Sequence, residues 1–150
     1  VRREQMMNTK ELARFINTID WSIGNIRKLK ISTGAVFDTR GRPVCIMGHL
    51  IERSGFKRKM GPFSTRSYLT VRWQWQTRLS TLPKWLLTTE ALKFVFRKII
   101  KCDIPSEVLQ ASEDLQVSND YFLSKADKEI GRNIRLKREL IALKTALVKI

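Results

Sequence analysis

Arg66-Ser67-Tyr68-Leu69-Thr70-Val71-Arg72-Trp73-Gln74-Trp75-Gln76-Thr77-Arg78 is the clearest alternation in the chain. In an extended backbone successive side chains point to opposite sides. Ser67, Leu69, Val71, Trp73, Trp75 and Thr77 then share one side, and Arg66, Tyr68, Thr70, Arg72, Gln74, Gln76 and Arg78 the other. The expected element is one strand with a core-facing side that carries two tryptophans and a cationic side that carries three arginines.

Working upstream, Gly55, Gly61 and Pro62 bracket the basic run Lys57-Arg58-Lys59, and Ser54 to Ser64 reads as a loop. Before it, Ala35-Val36-Phe37 and Pro43 to Ile51 are apolar runs on either side of Asp38-Thr39-Arg40-Gly41-Arg42. This predicts a β-hairpin with its tip at Gly41. The second arm is apolar on both faces, which predicts a buried strand, with Gly48 marking a bulge or a close approach of another backbone. At the start, Asn8 stands three residues before Glu11, a capping-box spacing. Leu12, Phe15, Ile16, Ile19, Ile23 and Ile26 follow at helical intervals, so a helix is expected over about residues 9 to 30.

Downstream of Ser80-Thr81 the period becomes helical again, with Leu82, Trp85, Leu86, Leu92, Val95, Phe96 and Ile99 on one stripe. A short helix is expected after Pro105 and a long one from about residue 118 to 150. In that last helix Leu136, Leu140, Leu143, Leu147 and Ile150 are spaced 4, 3, 4, 3, widened by Ile141 and Val148. Such a seam serves docking on a core or self-association. Together these elements predict a single α+β domain over 1–150: an N-terminal helix, a three-stranded antiparallel sheet, then two or three helices packed on the sheet.

Charge points to the partner. The chain holds 29 Lys and Arg against 14 Asp and Glu, a net charge of +15. Residues 51–100 contribute 11 basic and 2 acidic side chains of these, and 101–150 contribute 9 and 8. A polyanion relieves the self-repulsion of such a domain. Guanidinium groups on a rigid face match phosphate geometry, and a tyrosine stacks on an unpaired base. The expected nucleic-acid contacts are therefore Arg66, Arg72, Arg78 and Tyr68, extended by Arg40, Arg42, Lys57, Arg58 and Lys59. RNA bound with low sequence selectivity is the expected partner. The alternative is a matrix- or accessory-type adaptor, of the viral kind, that binds anionic membrane or an acidic protein and forms a homo-oligomer through Leu136, Leu140, Leu143 and Leu147.

Catalytic candidates are few. His49 is the single histidine, and no triad, phosphate loop or metal motif surrounds it. Cys45 lies four positions away, which on the expected strand is about 13 Å, too far to exchange a proton. Two cysteines and one histidine make an incomplete zinc set, and the basic middle third holds only Glu52 and Glu90. The expectation is a non-enzyme without cofactor or metal. No apolar run approaches the roughly 20 residues that cross a bilayer, and the first residues lack a secretory signal's apolar stretch, so a soluble or peripheral protein is expected. Cys45 and Cys102, too few for a disulfide framework and set in apolar surroundings, suit a reducing compartment, so a cytoplasmic or nuclear location is expected.

Overall fold

The computed structural model describes residues 7–32, 36, 42–54, 57–60, 67–70, 74–77, 91–93, 95–123 and 129–150. Helix α1, Thr9–Gly24, begins where the capping pair predicts, with the Glu11 amide donating to the Asn8 side-chain oxygen at 3.2 Å. It buries Leu12, Phe15 and Ile19. It ends six residues earlier than the apolar spacing suggests. The Asn25 side-chain amide donates to the Trp21 carbonyl at 2.8 Å, the acceptor a continuing helix would need, and the Asn25 backbone N–H goes to Ser22 instead. A 3-10 turn, Ile26–Lys28, follows and buries Ile26.

The expected α+β fold is overturned, because the body of the protein is helical and no strand belongs to its core among the described residues. The largest change is at the second arm of the expected hairpin. Ile46–Arg53 is helix α2, with Ile46, Met47, Leu50 and Ile51 buried at helical spacing. A short, wholly apolar run fits a buried strand or a buried helix equally well by pattern. Tertiary contact decides it here: the Ile46 amide, an orphan donor at the helix start, is taken at 2.9 Å by the side-chain oxygen of Asn119. The base of the preceding loop is pinned by Ser32 N–H to the Val44 carbonyl and Val44 N–H to the Val36 carbonyl, at 2.7 and 3.0 Å. The expected tip at Gly41 lies outside the described residues.

The single strand expected over 66–78 is replaced by two short ones. Strands β1 (Lys57–Met60), β2 (Ser67–Thr70) and β3 (Gln74–Thr77) form an antiparallel ribbon in the order β1-β2-β3. Leu69 pairs with Trp75, so the chain folds back within the stretch that reads as continuous. No glycine, proline or asparagine marks that reversal in the sequence. The ribbon adjoins α2 through β1.

Leu92, Val95 and Phe96 are buried in the core, as their stripe requires, with Val95–Ile100 wound as a π-helical segment. Its end turns at Lys101, which has φ of 63°, and both Lys101 and Cys102 N–H groups close on the Phe96 carbonyl. In place of one helix from Ser118, the chain forms α3, Ser106–Leu123, and α4, Glu129–Val148. These are antiparallel: Lys149 at the end of α4 reaches Glu107 at the start of α3 at 3.6 Å. Leu136, Leu140, Leu143 and Leu147 are fully buried inside this chain, where α4 packs on α3 and α1. Association of copies through those leucines would require the core to open. No helix among the described residues is long and apolar enough to cross a membrane.

Candidate nucleic-acid interface

The apolar stripe of α1 faces the core, and a second stripe, at the same period, faces away from it. Lys10, Ala13, Arg14, Asn17, Thr18 and Trp21 recur every three or four residues and line an open groove of about 540 Å³, closed on its other side by Arg53 of α2. The guanidinium carbon of Arg53 sits 3.4 Å above the Trp21 ring centre. A stacked cation of this kind is held flat, with its N–H edge directed outward.

Polar bonds fix the floor of the groove. Thr18 Oγ1 donates to the Arg14 carbonyl at 3.0 Å. Ser54 Oγ, buried at the end of α2, lies 3.1 Å from Thr18 Oγ1 and 2.8 Å from the Leu50 carbonyl. These bonds lock α1 to α2 and therefore hold Arg14 and Arg53 at a set separation. Arg14 also pairs with the buried Glu11 carboxylate at 3.7 Å, which partly neutralises it. Lys10 and Arg53 are exposed, while Trp21 is half-buried with its inner side against the core.

The basic run expected to bind phosphate begins four residues beyond Arg53. That is at most about 14 Å of chain. In the ribbon Lys59 pairs with Tyr68, Arg58 with Leu69 and Lys57 with Thr70. Tyr68 also pairs with Gln76, Leu69 with Trp75 and Thr70 with Gln74. Arg42 is exposed next to Pro43. Arg40, Arg66, Arg72 and Arg78 lie outside the described residues.

Lys10, Arg14 and Arg53 are the residues that reading the sequence missed; Trp21 stands out in the sequence by lying off the main apolar stripe of the first helix, where an exposed ring would mark a contact site. Their signal was present: a basic and aromatic stripe at helical spacing, ending on a tryptophan that falls off the apolar one.

His49 and Cys45 stand on one turn of α2, so the separation argued from a strand does not hold. His49 is nevertheless held in a structural bond, Nε2 to the Lys30 carbonyl at 2.8 Å. Burial keeps its pKa below the ordinary value, against the opposing pull of that carbonyl and of Glu52. Cys102 is a free thiol raised by burial and by the neighbouring Asp103 charge. No group of three or more His, Cys, Asp or Glu among the described residues is placed to hold a metal ion. Arg132, one of the cations near the leucine seam, is buried and bonds the Ile31 carbonyl and the Asn133 side chain at 3.3 Å, a tie between α4 and the chain after α1.

No protein-family model, curated protein or solved structure matches this chain.

Proposed function

We propose that the protein binds single-stranded nucleic acid, RNA foremost, along the cationic region that runs from the α1–α2 groove onto the β1 ribbon. The observation that carries this is the groove that Lys10, Arg14, Trp21 and Arg53 line together, with the Arg53 guanidinium stacked over the Trp21 ring. Single-strand binders combine cations that track the backbone with flat groups on which bases stack. Here Lys10 and Arg14 meet phosphate oxygens, the Arg53 plane over Trp21 receives a base, and Lys57 and Lys59 take the next phosphates. A groove of about 540 Å³ is within the size range of pockets for a single small ligand, hence of one nucleotide at a time. Arg40, Arg42, Arg58, Arg66, Arg72, Arg78 and Tyr68 extend the contact. The role is binding, with low sequence selectivity, in cytoplasm or nucleus.

Fluorescence anisotropy with labelled single-stranded RNA, across a salt series, tests it. Each phosphate neutralised on a single strand contributes about −0.7 to the slope of log K against log salt. The four or five contacts of the groove and β1 alone predict a slope near −3, and the further arginines make it steeper. Loss of one stacked base is worth about 1–3 kcal/mol, so Arg53→Ala weakens binding by roughly five- to a hundredfold. A shallow slope with an unchanged Arg53→Ala variant would overturn the proposal, and preference for anionic liposomes would put the adaptor in its place.

A further inference from the structure

Helix α4 carries two heptad seams. The inner one is the buried leucine row. The outer one is Ile130, Ile134, Lys137, Ile141, Lys144 and Val148, spaced 4, 3, 4, 3, 4 along the same helix. Its four apolar members are 75%, 55%, 52% and 61% exposed. At 3.6 residues per turn this row lies about 130° round the helix from the leucines and runs for about 27 Å. Ile141 and Val148, which the sequence suggests widen the inner seam, belong to the outer one. Four aliphatic side chains exposed in line are more than the scattered apolar residues of an ordinary surface.

The shape of the row limits what covers it. It is one residue wide, with Lys137 and Lys144 set into it and Arg138 beside it. A bilayer-bound helix needs a broad apolar face of bulky side chains, whereas a narrow heptad row is what another helix packs against. Charge excludes a second copy of the same row. Two copies would bring Lys137 and Lys144 against isoleucines or against each other, out of water. Lys144 is already drawn aside to Asp20 at 2.7 Å, which leaves Lys137 and Arg138 as the cations that meet an occupant. We infer that this outer seam docks an amphipathic helix of a partner protein, with aliphatic residues at heptad spacing and carboxylates on the flank that meets Lys137 and Arg138. Nothing in this depends on nucleic-acid binding at the groove.

Two synthetic helical peptides of about three heptads, identical in their leucine seam but flanked by glutamate in one and lysine in the other, test it against the full chain. The glutamate-flanked peptide is expected to bind and the lysine-flanked one at least tenfold more weakly. Ile134→Asp with Ile141→Asp abolishes binding while thermal unfolding stays within a few degrees of the parent, since both side chains are exposed. Lys137→Glu with Arg138→Glu reverses the preference between peptides. Absence of binding by either peptide, equal binding of both, or binding that survives the isoleucine substitutions would overturn the inference. So would a dimer, or capture by anionic liposomes, that the same isoleucine substitutions abolish.

Discussion

Gly48 offers the sharpest test of the helical core. It lies in the middle of α2, where alanine ordinarily stabilises a helix by about 0.5–1 kcal/mol over glycine. Here a Cβ would fall on the Val36 carbonyl oxygen, 3.1 Å from the carbonyl carbon and 3.3 Å from the Pro43 Cα. All three obstacles are backbone, so none moves aside by a rotamer change. That oxygen also accepts the Val44 N–H that pins the loop base. Overpacking costs about 1–3 kcal/mol and a weakened backbone bond about 1 more. After the propensity gain, Gly48→Ala is expected to destabilise by about 2 kcal/mol. For a chain of this size that lowers Tm by roughly 4–8 °C. Gly24, at the end of α1 with nothing within 4 Å of its Cβ position, is the control: Gly24→Ala leaves Tm unchanged or raises it slightly. Differential scanning calorimetry of the two variants reads the contrast. A Gly48→Ala protein as stable as the parent would refute the close approach of residues 36 and 43 to α2.

Further outcomes follow from adjacent positions. Leu140→Asp places a charge in the core of the α3–α4 pair and unfolds the protein, whereas Ile141→Asp, one residue on, keeps the parent circular dichroism and melting curve. Asn119→Leu removes the acceptor of the Ile46 amide and the donor to the Ser32 carbonyl; urea unfolding should show a loss of about 2–3 kcal/mol, the cost of leaving such buried groups unpaired. His49 is held neutral by burial, its folded pKa below its unfolded one. Its contribution to stability is therefore present above the ordinary histidine pKa and lost as pH falls through the folded value. Unfolding free energy measured from neutral pH down to pH 5 should fall less steeply in His49→Gln than in the parent.

The helical parts of the fold were legible where the sequence carried period and punctuation together. Asn8, Leu12, Phe15 and Ile19 place the start and the face of α1, and the leucine row places the buried face of α4. What escaped was decided at long range. Ile46 to Ile51, read as part of a strand from Pro43, is helical because Asn119, far along the chain, caps the first turn and because the backbone of Val36 crosses at Gly48. The sequence did signal that crossing, in the glycine itself. The two seams of α4 merged on reading because an isoleucine next to a leucine counts toward either face until the packing partners are known. The groove was hidden for a related reason: Lys10, Arg14 and Arg53 belong to two elements whose contact rests on Thr18 and Ser54. Only Trp21 stood out, by lying off the apolar stripe.

The most direct test of the central claim is one salt series of anisotropy measurements on single-stranded RNA, for the parent and for Lys10→Glu with Arg53→Ala. The parent is expected to bind with a slope of about −3 or steeper, and the double variant, still folded, to lose at least tenfold in affinity and about one unit of slope. Equal affinity and slope for the two proteins would contradict the assignment of the α1–α2 groove as the nucleic-acid interface.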